Sequence, residues 1–168
     1  MVSAGYYGCA CDPERTEILY SRNGKPDIIL IYMGANDYGH GVKLISEREP
    51  HDDLFCFYDA YKRMIHNIKD SYPKALIVCG TVLKGRTAED GDIKIFNSLH
   101  GIAIEDYNRI IKRVCREEGI VLADLAAADE RYMTLDGGHP TKEGHKDMFV
   151  TWLKALRDNP DFPYEIKY

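Results

Sequence analysis

An unbroken apolar run, Ile28-Ile29-Leu30-Ile31-Tyr32-Met33, follows Asp27 and is rich in β-branched side chains. A strand with one wet face alternates apolar and polar residues. Apolarity at every position over a strand-sized length belongs to a strand covered on both faces, as in a parallel sheet between helices. The run is far shorter than the roughly 20 apolar residues that cross a bilayer. No longer one occurs, so no membrane span is expected.

The rest of the chain repeats the setting that such a strand needs. From 53 to 72, Leu54, Tyr58, Tyr61, Met64, Ile65 and Ile68 recur at three- and four-residue steps, which predicts an amphipathic helix stopped by Pro73. Residues 75–79 (Ala-Leu-Ile-Val-Cys) read as a second buried strand ending at Gly80, and 84–92 as a loop. A stripe of Ile104, Tyr107, Ile110, Ile111 and Val114 predicts another helix, closed by Gly119, before a third strand over 120–125. A last helix follows Thr141, with Met148, Phe149, Trp152, Leu153 and Leu156 expected on its buried side and the tail from 159 along the surface. Strand and helix in alternation give a parallel sheet with covering helices. With 168 residues, 45% of them hydrophobic, one core and one domain spanning 1–168 are expected.

Charge and cysteine usage narrow the function classes. A net charge of -5 with scattered Lys and Arg offers nothing to neutralise a phosphate backbone, so no nucleic-acid partner is expected. The five cysteines are an odd, dispersed set, which fits a reducing, cytoplasmic compartment. Cys9 and Cys11 lack zinc-ligand spacing, and neither a Gly-x-Gly-x-x-Gly nor a Walker loop is present, so no metal or cofactor is expected. The opening residues lack the basic flank and apolar core of a signal peptide.

Two motifs carry chemistry. Gly34-Ala35-Asn36-Asp37 lies directly after the first buried strand, at the carboxyl end where open α/β sheets place their ligands. Gly34 allows close backbone approach, and Asn36 brings an amide NH₂ that can donate to a developing oxyanion. Asp136-Gly137-Gly138-His139-Pro140 precedes the last helix. A tight turn brings Asp136 within reach of one ring nitrogen of His139. Pro140 and a Thr141 cap then hold that imidazole on a rigid platform, as a general base requires.

In residue types, order and setting these motifs resemble blocks III and V of the SGNH (GDSL-type) hydrolases, and the similarity spans nearly the whole chain. The resemblance implies a flavodoxin-like three-layer α/β/α sandwich and hydrolysis of a small acyl ester, with Asn36 as oxyanion donor, Gly34 shaping the hole, His139 as general base and Asp136 orienting it. The family's nucleophile is a serine in Gly-Asp-Ser after the first strand, and a glycine after the second strand adds another oxyanion donor. None of Ser3, Ser21, Ser46, Ser71 and Ser98 follows Gly-Asp or closes a buried strand. Neither Gly5 nor Gly8 has a preceding strand that would identify it as the second donor.

The expectation is therefore a scaffold lacking its first two strands and inactive alone. Secretion stays open, because the natural N-terminus is then absent. The strand over 27–33 becomes a bare edge prone to self-association unless residues 1–20 fold back over it. Two other classes compete: a non-catalytic binding module on the same fold, and a metal-dependent hydrolase using Asp37, Asp136 and His139. Residues 38–53 and 84–92 are expected to rim the site.

Overall fold

A computed structural model describes residues 1–5, 8–20, 24–47, 50, 52–83, 101–127, 132–136, 138–162 and 164–165. Three strands, β1 (Ile28–Ile31), β2 (Leu76–Gly80) and β3 (Val121–Ala123), form a parallel sheet in the order β1-β2-β3. Among the described residues five α-helices accompany them: α1 (Pro13–Glu17), α2 (Ala35–Gly39), α3 (Phe57–Ser71), α4 (Ile104–Glu118) and α5 (Lys142–Arg157). The predicted loop over 84–92 lies outside the described residues.

The alternation of side chains along each strand decides which helix covers which face. Ile29, Ile31, Ile77 and Cys79 point into the main core, where they meet Tyr61, Met64, Ile65 and Ile68 of α3 and Tyr107, Ile111 and Val114 of α4. Ile28, Leu76, Val78 and Val121 take the opposite face, with Leu156 of α5. Helices thus lie on both faces of the sheet, the expected α/β/α layering.

β1 and β3 are shorter than the apolar runs that foretold them, while β2 keeps the expected length and is shifted by one residue. β1 ends at Ile31, and Tyr32 and Met33 continue toward the site outside the ladder. Helix ends follow local rules more closely. Gly119 closes α4 at φ 64, ψ 36, and the Thr141 side chain accepts the Gly144 N–H at the start of α5. One expected core residue is misassigned: Phe149 is 57% exposed, because α5 buries the Met148 and Leu156 face. Two short helices went unforeseen. α1 packs on α3, and α2 makes a helical turn of what the sequence presents as a Gly-Asn-Asp turn.

Beyond β2, after a last backbone bond from the Thr81 N–H to the Ala123 carbonyl, the chain is held by side chains. Asn108, buried on α4, accepts the Val82 N–H at 2.7 Å and donates its own amide to the Val82 carbonyl at 2.9 Å. Thr81 donates to Asp124 and accepts the Ala126 N–H, tying the ends of β2 and β3 together. Asn108→Ala strands two buried backbone groups and is expected to cost at least about 2 kcal/mol. An equilibrium urea titration checks this: the midpoint falls while the slope stays unchanged.

Candidate active site

The loop before α5 builds a rigid Asp/His pair from local contacts. Asp136 Oδ1 accepts the backbone N–H groups of Gly138 at 2.9 Å and His139 at 2.8 Å, leaving Oδ2 to meet His139 Nδ1 at 2.7 Å. These bonds, the His139 backbone N–H first, hold the Asp136 carboxyl down at about 2. A depressed carboxyl pKa means pairing that is complete above the usual carboxylate range and lost as pH falls through about 2, so the carboxylate faces the imidazole at any ordinary pH. The loop is clamped as well. Leu135 N–H reaches the His139 carbonyl and Thr141 N–H the Met133 carbonyl, each at 2.8 Å, around a bridge between Thr134 and Pro140.

Gly144 in the first turn of α5 lets this clamp close. A Cβ there would stand 2.2 Å from the Met133 carbonyl oxygen, a backbone atom that cannot swing away. Gly144→Ala is therefore expected to push the loop off the helix and to cost about 1 to 3 kcal/mol as an overpacked site. Thermal melts check the cost, and the His139 ring resonances, shifted by the displaced loop, check its place.

Gly34 does the corresponding work after β1. Its φ is 125, and a Cβ would meet Phe57 at 3.0 Å and Val82 at 3.2 Å, so only glycine turns the chain here against the core. The turn launches α2, with Asn36 exposed and Asp37 buried. Gly34, Asn36 and His139 are brought to one cavity of about 370 Å³, lined also by Met1, Tyr32, Met33, Pro140, His145 and Met148. Asp136 stands behind His139, through the 2.7 Å contact. Both members of the pair are open to solvent, with the imidazole side chain 77% exposed.

Asp37 plays a part that the sequence reading missed. Fully buried, it accepts the backbone N–H of Val2 on one oxygen and of Ser3 on the other, both at 2.9 Å, and so docks the start of the chain beside the cavity. Both Asp37 oxygens thus hold backbone amides, a structural part that accounts for the buried carboxylate without a metal. Tyr38 is likewise no rim residue. It is 3% exposed and packs edge-on against Tyr107. Among the described serines, Ser3 is fully buried and neither it, Ser46 nor Ser71 lines the cavity; Ser21 and Ser98 lie outside the described residues.

Comparison with known proteins shows the family and the fold. The model of the GDSL-like lipase/acylhydrolase family matches residues 6–146. The chain belongs to the GDSL-like lipase/acylhydrolase family.

Among the similar proteins, a multidomain esterase of Ruminococcus flavefaciens is 24% identical over 141 residues, covering 82% of this chain but 16% of that protein. A Lactobacillus plantarum protein of solved structure aligns over 95% of this chain and 77% of its own, at 17% identity and a TM-score of 0.74. A putative GDSL-like lipase from Bacteroides uniformis aligns over 87% of this chain and 57% of its own, at 23% identity and a TM-score of 0.61. The chain thus spans a small part of the multidomain esterase and a little over half of the Bacteroides protein. GDSL-like membership makes this a chain of a hydrolase family, and no helix among its described residues is long and apolar enough to cross a membrane.

Proposed function

We propose that this chain is the acid/base and oxyanion portion of an ester hydrolase that works by Ser-His-Asp acyl transfer, its serine coming from a segment outside residues 1–168. The observation that carries the proposal is the 2.7 Å contact between His139 Nδ1 and Asp136 Oδ2, in a loop that shares one cavity with Asn36 at the carboxyl end of β1. With Nδ1 held by the carboxylate, Nε2 is left to take a proton.

The serine oxygen bonds to the ester carbonyl carbon while its proton passes to His139 Nε2. The carbonyl electron pair moves onto oxygen, where the Asn36 amide donates to it. Collapse restores the carbonyl and expels the alkoxide, which takes the proton from His139 and leaves an acyl-serine. Water then repeats the sequence, with His139 first accepting its proton and then returning it to the serine. Asp136 orients the ring and stabilises its charged form throughout. Tyr32, Met33 and Met148 give the cavity an apolar wall, which suits the acyl side of an ester.

A binding module on the same fold is the second reading, supported by the lack of a described serine in the cavity. Turnover of p-nitrophenyl acetate separates the readings in two steps. Residues 1–168 alone are expected to show no hydrolysis above background, because an acid/base pair does not replace a nucleophile. Joined to a nucleophile-bearing segment, they are expected to turn over. Turnover by the isolated chain that a serine-directed inhibitor abolishes contradicts the first expectation; an inert completed chain favours the binding module.

A further inference from the structure

Two thiols stand in contact away from the cavity that Asn36 and His139 line. Cys11 donates its S–H to Cys9 Sγ at 3.6 Å, and the backbone between them is already bent. In an extended chain, Cα atoms two residues apart lie about 6.6 to 7.2 Å apart, at the far limit of what a disulfide spans. The turn closed by the Asp12 N–H on the Cys9 carbonyl, at 3.3 Å, draws the pair inside that limit. Cys9 is half-buried and open to a small reagent, whereas Cys11 is 2% exposed. Cys56, Cys79 and Cys115 are sealed, at 2%, 0% and 3%.

Backbone hydrogen bonds tie this pair to the site. Ala10 N–H reaches the Met1 carbonyl at 3.0 Å and Cys11 N–H the Val2 carbonyl at 3.2 Å. Val2 and Ser3 give their own N–H groups to Asp37, and Met1 lines the cavity with Asn36 and His139. Asn67 of α3 holds the Cys11 carbonyl at 3.0 Å, which fastens Cys11 to the core. Closing the sulfurs from 3.6 Å to the roughly 2.05 Å of a disulfide therefore turns the freer part, Cys9 and Ala10, and with it the N–H that holds Met1. The Met1 carbonyl and the Val2 N–H belong to one planar peptide unit, so a shift of the first tilts the second off Asp37.

We propose that Cys9 and Cys11 form a reversible dithiol/disulfide site, and that its oxidation by a small soluble disulfide loosens the start of the chain from Asp37 beside the cavity. The Cys9 thiolate attacks one sulfur of the soluble disulfide, whose S–S bond breaks and releases one thiolate. Cys11 then loses its proton, attacks the Cys9 sulfur and expels the second small thiolate as the ring closes. Two electrons pass to the soluble disulfide, which leaves as two thiols carrying the two protons. Burial above all, and then the hydrogen bond to Cys9, push the Cys11 thiol up to about 12, which leaves the first attack to Cys9. Once Cys9 is in the mixed disulfide that bond no longer restrains Cys11, and a basic thiolate held beside its target is a strong nucleophile. Asp37 is loosened in this way whether the cavity hydrolyses an ester or only binds a ligand.

The test equilibrates residues 1–168 with reduced and oxidised glutathione over a series of ratios and alkylates the remaining thiols under denaturing conditions. Mass spectrometry then reads the tryptic peptide ending at Arg15, which holds Cys9 and Cys11 and no other cysteine. A peptide short of two hydrogens and free of alkylation is expected to accumulate at oxidising ratios and to vanish with dithiothreitol, while Cys56, Cys79 and Cys115 stay alkylated. Amide exchange at Val2 and Ser3, followed by two-dimensional NMR, is expected to quicken at least tenfold in the oxidised form. Cys9→Ser is expected to prevent both changes without lowering the melting temperature by more than a few degrees. Cys11→Ala is expected to halt with one glutathione on Cys9.

Cys9 and Cys11 alkylated at every ratio, a disulfide between two chains in place of the ring, or glutathione found on Cys11 of the Cys9→Ser form overturns the site. A ring that closes while Val2 and Ser3 exchange at their reduced-state rate overturns its link to Asp37 and the cavity.

Discussion

In the chain joined to its nucleophile segment, His139→Ala is expected to lower kcat by about 10⁴-fold or more. In the proposed cycle the imidazole accepts the serine proton, gives it to the leaving alkoxide and handles the water of the second half-reaction, so its loss strikes every proton transfer. KM should move little, because the role proposed for the ring is proton transfer and not holding the ground-state ester. Asp136→Asn should fall short of this loss. The amide can still contact the ring, but it favours the wrong tautomer and no longer stabilises the imidazolium. Steady-state kinetics on p-nitrophenyl acetate, with folding checked by melting, read both variants. Equal and small effects contradict the assignment.

Asn36→Ala in the same completed chain is expected to cost about 10² to 10³ in kcat, the usual effect of losing one oxyanion donor. Asn36 sits exposed at the start of α2, held there by the Gly34 turn before it and the inward Asp37 after it. Its side chain donates most strongly once negative charge develops on the substrate oxygen, so the loss should appear in kcat more than in KM. Asn36→Asp, which places a carboxylate where charge develops, should be worse than alanine. A loss confined to KM would make Asn36 a ground-state contact and remove it from the oxyanion role.

The parts of the fold that were legible in the sequence are those written in local periodicity. Strands such as 75–79 and helices such as the one carrying Ile104 to Val114 announced themselves because burial imposes apolar residues at fixed spacing. The Asp136 and His139 contact was legible too, since it closes within one turn and needs only the residues of that turn. What stayed hidden depends on distant partners. Asp37 looks like a turn residue until Val2 and Ser3 arrive from the start of the chain to fill both its oxygens. Tyr38 looks like rim until Tyr107 packs against it. Phe149 continues an apolar stripe, and only the direction of α5 against the sheet leaves it outside. The apolar run over 27–33 reads as an interior strand, and its residues carry no sign of which neighbour is present.

On the proposed reading, His139 is a working base that waits for a serine from outside residues 1–168. Mass spectrometry after treatment with a fluorophosphonate tests it most directly, because the reagent marks only a hydroxyl activated by a working base. Residues 1–168 are expected to stay unlabelled, the chain joined to its nucleophile segment to gain one adduct on the added serine, and the His139→Ala form of that chain to lose it. An adduct on one of the five serines within residues 1–168, or equal labelling with and without His139, would contradict the account.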